Sequence, residues 1–226
     1  MSGDGIFNWW PMRTSDVTAW AALLADIREV DHTWEYFTET ELLEEFDDPR
    51  RNFEDGSIVV FAGDTMVGYG VLVTRSTAEP DHDMRFDGGV HPAYRGRGLG
   101  SQLLDWAEPA ARRLHRALYP GHPLSLAGSC SIDSPAAMAL YESRGYEQVR
   151  WFNGMVRDLG DAVGGPVAPP GVEIAPWRPE FSEAARTMRN EAFRDHWGST
   201  DAAPEDWAHF MAVAAFRPEH SFLAFA

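Results

Sequence analysis

The segment from Val90 to Ser101 carries the most specific chemistry in this chain. A strand-like run ends at Val90, and a turn rich in glycine and arginine leads into an apolar-periodic helix that begins near Leu99. Free N–H groups at a helix N-terminus face outward, and the helix dipole adds partial positive charge there. Glycine removes Cβ atoms that would keep an anion from the backbone, and arginine adds forked hydrogen bonds. The turn therefore predicts a pyrophosphate site. Its candidate contact residues are Val90, His91, Arg95, Gly96, Arg97, Gly98, Leu99, Gly100 and Ser101.

The spacing of the glycines narrows the choice of ligand. A dinucleotide fingerprint needs G-x-G-x-x-G, whereas this turn reads G-x-G-x-G, and it lacks the lysine that a P-loop needs. The pattern Arg95-x-x-Gly98-x-Gly100, preceded by Val90-x-Pro92, instead resembles the acyl-coenzyme A signature of the GNAT superfamily of N-acetyltransferases. The resemblance implies acetyl-coenzyme A (acetyl-CoA) as co-substrate and an amine as the acceptor of the acetyl group.

A second motif runs from Asp133 to Tyr146 and resembles the N-x-x-A-x-x-L-Y-E-x-x-G-F element of the same superfamily. Ser134 stands where the family has asparagine. Ser134 or Asp133 is expected to cap a helix that Gly145 ends in the left-handed conformation. The resemblance implies that this helix runs beside the pantetheine arm of the cofactor. It further implies that Ser134 lies at the cofactor and that Tyr141 is the general acid, which protonates the departing thiolate.

Composition limits the classes of function. The chain has 226 residues, 44% of them hydrophobic, and a net charge of −16 with no lysine. An acidic balance argues against nucleic-acid binding and is compatible with attraction of a cationic amine. No apolar run is long enough to span a membrane, and one cysteine excludes an internal disulfide framework. We therefore expect a cytoplasmic protein without a membrane partner. The eight histidines show no metal-ligand spacing, so no metal is predicted.

The apolar periodicity and turn signals predict a mixed α/β (α+β) fold. Two amphipathic helices and a hairpin around residues 63–65 precede the glycine-rich turn, and a long helix with an expected kink at Pro109 follows it. The order resembles that of the GNAT fold, whose mostly antiparallel central sheet is flanked by helices. The predicted strands cover residues 6–12, 57–62, 66–74, 85–90, 124–132, 146–149 and 151–158. The predicted helices begin near residues 14, 39, 99 and 134.

A Gly/Pro-rich stretch over residues 160–171 predicts a linker, after which the pattern of the first third of the chain begins again. We therefore predict a GNAT domain over 1–159 and an incomplete second GNAT-like domain over 172–226. The segment from Asn190 to Gly198 resembles mycothiol-synthase-like tandem acetyltransferases. The expectation is a C-terminally incomplete tandem protein, whose unpaired repeat invites pairing with a second copy or another partner.

Polarisation of the thioester and removal of the amine proton need further groups. We interpret Gly88 and Gly89 as a bulge that aims a backbone N–H at the thioester carbonyl. No general base is assigned, because several side chains are equivalent candidates. These candidates are Asp87, Asp83, His82, Glu35 and Glu39.

The single cysteine and four aromatic residues each have both a structural and a functional interpretation. Cys130, at the end of a predicted strand, is expected to be a buried structural residue. The aromatic residues Trp9, Trp10, Trp34 and Tyr36 are expected to pack in the core, except that residues 34–36 could wall an acceptor pocket.

Two functional hypotheses remain open. In the first, the chain is an N-acetyltransferase that transfers the acetyl group directly to a small-molecule amine within a ternary complex. In the second, it is a non-catalytic, acyl-coenzyme A-binding half that regulates a catalytic domain lying outside this chain. Both account for the turn at 95–101, and the glycine spacing excludes a nucleotide-dependent oxidoreductase.

Overall fold

The computed structural model describes residues 7–33, 35–79, 81–158, 160, 167–196 and 198–225. The strands are β1 (Phe7–Trp10), β2 (Ser57–Ala62), β3 (Thr65–Val73), β4 (His82–Val90), β5 (Leu124–Gly128), β6 (Glu173–Pro176) and β7 (Phe222–Phe225). The helices are α1 (Val17–Asp31), α2 (Glu39–Glu44), α3 (Leu99–Leu118), α4 (Pro135–Ser143), α5 (Ser182–Ala192) and α6 (Pro204–Ala212). Short 3₁₀ turns precede α1 and α3 and follow α2.

The central sheet has the order β1-β2-β3-β4-β5, with every neighbouring pair antiparallel except the parallel pair β4–β5. The predicted mixed, mostly antiparallel α/β fold is therefore confirmed. The central strand β3 is buried along almost its whole length. It separates a core under α3, with Leu72 and Met84, from a core under α1, with Trp20 and Val71.

Helix α3 has the predicted bounds, Leu99–Leu118, because its apolar side chains recur at helical spacing. Leu103, Ala107 and Leu114 lie on its buried face against the sheet. The helix continues through Pro109. Burial of each large apolar side chain contributes about 1.5–3 kcal/mol, so packing of this face fixes the helix against the strands that precede it.

Strands β4 and β5 part beyond Phe86. Their parallel register ends at the pair Phe86–Gly128, whereas β4 continues along β3 to Val90. The β3–β4 register passes through both glycines of β4 without a shift, so the predicted bulge at Gly88 and Gly89 is wrong. These glycines make room for neighbouring side chains. A Cβ on Gly88 would lie 2.5 Å from Phe86 Cζ, and one on Gly89 would lie 2.8 Å from Ile27 Cδ1.

The two strands predicted after α4, over 146–149 and 151–158, do not form in the part of the chain that the structure describes. Phe152 and Val156 are 80% and 99% exposed. A strand needs a hydrogen-bonded partner, and strand-like composition does not supply one. Strand β5 also ends at Gly128, four residues earlier than predicted, and β4 is its one strand partner among the described residues.

The C-terminal elements follow in the order β6, α5, α6 and β7, and β6 pairs antiparallel with β7. Strands and helices at the start of the chain have the same order and the same first pairing. Contacts join this segment to the central sheet unit: Arg75 Nη2 donates to Gly198 O at 2.5 Å, and Ser76 Oγ donates to Asp206 Oδ2 at 2.6 Å. An internal duplication and its boundaries stay predictions, and half of the predicted linker, residues 161–166, lies outside the described residues.

None of the helices in the described ranges is both long enough and apolar enough to cross a membrane.

A buried imidazole pair joins the start of β4 to the end of α3. His82 is fully buried, and its Nδ1 lies 2.9 Å from His115 Nδ1. Burial lowers the pKa of His82, and the facing His115 and nearby His122 lower it further, whereas Asp83 and Asp81 oppose the shift. The folded state thus binds a proton at His82 less readily than the unfolded chain does.

Acidification should therefore weaken the folded state through His82. A histidine with a lowered folded pKa contributes stability above the unfolded pKa, about 6.5, and this contribution is lost as the pH falls. The difference in free energy of unfolding between wild type and His82→Asn should shrink from about pH 8 to about pH 5, because asparagine does not titrate. Urea unfolding measures this difference, with the exposed His220→Asn as the control. A difference in free energy of unfolding that does not change with pH would contradict the lowered pKa of His82.

Candidate functional site

The turn before α3 is built from a 3₁₀ turn at Pro92–Tyr94 followed by two glycines in the left-handed region. Gly96 has φ +73° and Gly98 has φ +82°. The space over both is open: a Cβ on Gly96 would meet nothing within 4 Å, and one on Gly98 would meet only the Gln102 side chain at 3.8 Å. Glycine is therefore required here by the backbone conformation, and a ligand can approach the backbone directly.

The N–H groups from Gly96 to Ser101 have no hydrogen-bond acceptor among the described residues. The first N–H beyond them that is bonded belongs to Gln102, which donates to Gly98 O at 3.1 Å. No side chain caps this end of the helix. A run of free donors at the positive end of a helix of 20 residues has the geometry and the partial charge that suit an anion.

The charged side chains of the turn have partners within the protein. Arg95 donates both Nη atoms to the Asp31 carboxylate, at 2.7 and 2.8 Å, and its Nε to Val90 O at 3.2 Å. Arg97 lies over the Tyr94 ring, 4.8 Å from its centroid. Both predicted arginine contacts are therefore engaged within the protein, Arg95 by a carboxylate and Arg97 by the Tyr94 ring and by Ala93 O, to which its Nη2 donates at 3.3 Å.

His91 is also engaged. Its Nδ1 accepts from the Ala93 N–H at 3.1 Å, and its Nε2 lies 3.2 Å from Asp26 Oδ2. Since Nδ1 is the acceptor, a neutral ring carries its proton on Nε2 and donates it to Asp26. His91 therefore fastens the turn to α1 and does not project a free donor at the predicted anion site.

Gly100 and Ser101 lie where α3 meets α4. A Cβ on Gly100 would lie 3.1 Å from Leu140 Cδ2. Arg144, just after α4, donates to Ser101 O at 3.0 Å and to Asp105 Oδ1 at 2.5 Å. Close packing of the two helices therefore accounts for Gly100 independently of any ligand.

The gap between β4 and β5 opens beside this turn. The N–H of His91 donates to Val67 O of β3 at 3.0 Å. Because successive residues of an antiparallel strand alternate in direction, Gly88 and Val90 face the opposite edge, toward the gap. Beyond Phe86 that edge has no strand partner among the described residues. Backbone groups of β4 are thus available to an extended ligand.

Tyr141 lies on the other side of the gap. Its ring covers Gly128, the last residue of β5: a Cβ there would lie 2.5 Å from the phenol oxygen. Burial raises the pKa of Tyr141 well above its usual value, and the thiol of Cys130, the hydroxyl of Tyr146 and the carboxylate of Asp87 add to the increase. Tyr141 is therefore a protonated donor at neutral pH, placed at the point where the sheet opens.

Ser134 stands at the N-cap position of α4, as predicted, but its side chain makes no capping hydrogen bond. Its backbone oxygen accepts from Ala137 N at 3.0 Å instead. The hydroxyl is thus left to a small cavity of about 120 Å³ between the end of α1 and the start of α4. The cavity is lined by Val30, Asp31, His32, Ser131, Asp133 and Ser134.

The candidate general bases differ in burial and in pairing in the folded chain. His82 is buried against His115 and Asp83 pairs with Arg75 at 2.7 Å, so neither faces the gap as a free base. Glu35 and Glu39 are exposed before and at the start of α2. Asp87 is the candidate that acts electrostatically on Tyr141.

Cys130 is exposed, so its expected burial is wrong. The reason is the early end of β5 at Gly128, which leaves Cys130 in the following loop. Partial desolvation raises the pKa of its thiol. Its proximity to Tyr141 places it at the rim of the gap.

The aromatic residues divide between core and surface. Trp10 stacks on Phe61 with ring centroids 4.6 Å apart, and Trp9 packs against the α3 core, as expected for both. Trp34 lies outside the described residues. Tyr36 is exposed and lines a cavity of about 180 Å³ between α2 and the C-terminal segment. That cavity is lined by Tyr36, Phe37, Glu41, Glu44, Glu45, His209, Val213 and Ala215.

Sequence reasoning missed three carboxylates. Asp26 and Asp31 fasten the turn to α1, and Glu45 lies beyond α2, where burial raises its pKa against the opposing charge of Arg51. A local pattern does not reveal a pairing between residues 31 and 95.

The described residues contain no group of three or more His, Cys, Asp or Glu side chains that could hold a metal ion.

Comparison with known proteins gives one family. A sequence model of the acetyltransferase (GNAT) family matches residues 22–146. The mycothiol acetyltransferase of Nocardioides sp. is 37% identical over 139 residues, which make up 60% of this chain and 43% of the relative. That of Catenulispora acidiphila is 32% identical over 163 residues, or 72% of this chain and 48% of the relative. The chain thus spans about half the length of these curated relatives.

Solved structures support the fold. A GCN5-related N-acetyltransferase from Sphaerobacter thermophilus aligns with a TM-score of 0.73 at 22% identity, covering 99% of this chain and 68% of that one. The yncA protein of Salmonella typhimurium, solved with acetyl-CoA, aligns with a TM-score of 0.50 at 18% identity, covering 62% of this chain and 79% of that one.

The contact between Tyr141 and Gly128 can be tested by stability alone. Gly128→Ala should destabilise the fold by about 1–3 kcal/mol, because the added methyl group overlaps the phenol ring. In a Tyr141→Ala background the same change should cost much less, since the overlap is gone. Urea unfolding of the four proteins gives the coupling energy, and additive effects would refute the contact.

Proposed function

Because the chain belongs to the acetyltransferase (GNAT) family, we propose that it binds acetyl-CoA at the turn before α3 and transfers the acetyl group to a small-molecule amine by direct transfer in a ternary complex. The observation that carries the proposal is the run of unbonded N–H groups from Gly96 to Ser101 at the positive end of α3. A diphosphate supplies the oxygens and the negative charge that these donors lack.

The gap between β4 and β5 is the proposed site for the rest of the cofactor. The pantetheine arm would extend from the turn along the free edge of β4, where Gly88 and Val90 offer backbone hydrogen bonds. Ser134, at the start of α4, is proposed to contact the cofactor from the far side. In this position the N–H of Gly88 or Val90 polarises the thioester carbonyl.

Tyr141 is proposed to donate to the sulfur as negative charge develops there. The amine nitrogen forms a bond to the carbonyl carbon, the C–S bond breaks, and the departing thiolate takes the phenol proton of Tyr141, which is then restored from solvent. Burial keeps the phenol protonated until the thiolate forms. Asp87, on the side of the sheet opposite α3, is the proposed group that accepts the proton lost by the amine.

The acceptor is proposed to be a small cationic amine. The net charge of −16 favours approach of a cation. The curated relatives are called mycothiol acetyltransferases, which is consistent with a small-molecule acceptor.

The second candidate is an acyl-CoA-binding half that does not catalyse. Ser134, which stands where the family has asparagine, supports this candidate. Pairing through the two-stranded β6–β7 sheet, where Phe222 is 60% exposed, is proposed as the route to a homodimer or another partner.

Binding should depend on the backbone of the turn. Gly98→Val should abolish acetyl-CoA binding, because its side chain occupies the open space over the free N–H groups. Gly63→Val is the matched control: Gly63 also has a positive φ, +60°, and open space, but lies in the β2–β3 hairpin. Both variants should lose at least roughly 1–2 kcal/mol of stability. Calorimetry with acetyl-CoA separates them, and equal affinities would refute the site.

Catalysis should depend on the Tyr141 hydroxyl. Tyr141→Phe should leave acetyl-CoA affinity nearly unchanged and slow turnover by roughly 10²-fold, the usual contribution of a positioned acid. Tyr146→Phe is the control, because this neighbouring ring lies 5.1 Å away and its loss removes a similar hydroxyl. The assay is thiol release with a panel of amines at saturating cofactor. Equal turnover in Tyr141→Phe and wild type would remove Tyr141 from the mechanism, and tight binding without turnover in the wild type would favour the second candidate.

A further inference from the structure

We propose that Asp31 is a positioning residue for the cofactor turn: it holds Arg95 in place and, through Arg95, holds the free N–H groups in the arrangement that binds acetyl-CoA. The inference rests on the proposed function. Asp31 is the last residue of α1, and its two oxygens accept from Arg95 Nη1 and Nη2 at 2.7 and 2.8 Å. Such a two-point contact fixes the plane of the guanidinium as well as its position.

Arg95 connects three parts of the fold. While Asp31 holds its Nη atoms, its Nε donates to Val90 O, the last residue of β4, at 3.2 Å. Its own backbone begins the turn, since Arg95 N donates to Pro92 O at 3.3 Å. The end of α1, the end of β4 and the start of the turn are thus joined at one side chain.

The residues after Arg95 depend on this attachment. Gly96, Arg97 and Gly98 donate no backbone hydrogen bond among the described residues, so the turn is held by Arg95 and α3 at its ends and by the Arg97 side chain, whose Nη2 donates to Ala93 O at 3.3 Å. Two glycines in such a segment lose much conformational freedom when they are ordered. Fixing one end in advance lowers the cost of ordering these N–H groups around a diphosphate.

A second contact between the turn and α1 also holds the turn in place. His91 Nε2 lies 3.2 Å from Asp26 Oδ2, and His91 Nδ1 holds the Ala93 N–H. The 3₁₀ turn and Arg95 are therefore both fastened to α1. Asp31 makes the stronger contact because it is bidentate.

If Asp31 had the opposite role, its removal would change the affinity for acetyl-CoA in the opposite direction. If Asp31 only competed with the diphosphate for Arg95, its removal would free a cation and remove a repulsive charge, and affinity would rise. If Asp31 positions the turn, its removal lowers affinity in spite of the lost repulsion. An ion pair at a partly exposed site adds little to global stability, so affinity should change more than the unfolding midpoint does.

The test is the affinity of the full chain for acetyl-CoA by calorimetry. Asp31→Asn should weaken binding about tenfold, the scale of lost charged hydrogen bonds. Asp31→Glu should restore part of the loss. Glu29→Gln is the matched control, because it removes one carboxylate from an exposed position of the same helix and should leave affinity unchanged.

A second variant distinguishes a loss of affinity from a defect in folding. Arg95→Lys keeps the charge and removes the fork, so it should reproduce the loss in affinity while thermal unfolding stays close to wild type. Affinity in Asp31→Asn equal to or tighter than wild type would overturn the inference, as would a lowered unfolding midpoint with unchanged affinity. If the wild type does not bind acetyl-CoA, the proposed function fails and the inference fails with it; if it binds and only the Asp31 effect is missing, the inference alone fails.

Discussion

The parting of β4 from β5 beyond Phe86 is the constraint on which the rest of the site depends. Up to that point each strand satisfies the other's backbone groups, and beyond it β4 continues on the support of β3 alone. A free strand edge is normally a liability, because its hydrogen-bonding groups seek a partner. Here the edge leads directly into the turn at the start of α3, so one continuous stretch of backbone offers unpaired donors to an extended, anionic molecule.

The side chains around this backbone mainly hold it in place. The ring of Phe86 fills the space that Gly88 leaves, Tyr141 covers the end of β5, and Leu140 packs over Gly100. On the other side α1 fastens the turn through Asp26 and Asp31. The proposed recognition of acetyl-CoA therefore rests largely on backbone geometry, which packing maintains. This explains why glycines dominate the motif although only Gly96 and Gly98 require a left-handed conformation.

The sequence alone could predict the parts whose causes are local. Helix α3 was bounded correctly because its apolar residues recur at helical spacing over 20 residues, and the β2–β3 hairpin because Gly63 and Asp64 form a turn between two apolar runs. Features that depend on distant partners could not be predicted. The pairing of Asp31 with Arg95 spans 64 positions, and the exposure of Cys130 follows from where β5 loses its neighbour. The segment after α4 has strand-like residues but no paired strand in the described structure. Its composition alone therefore gave a wrong prediction of two strands.

The edge of β5 that has no strand partner among the described residues, and the exposed side chains of Trp151, Met155 and Val156, bear on how the protein behaves in solution. These surfaces favour association between copies, whereas the net charge of −16 opposes it through repulsion. Repulsion between surface charges is screened over about 8 Å at physiological ionic strength, while contacts between apolar surfaces are not screened. Added salt therefore weakens the repulsion between copies and leaves the attraction between their apolar surfaces in place.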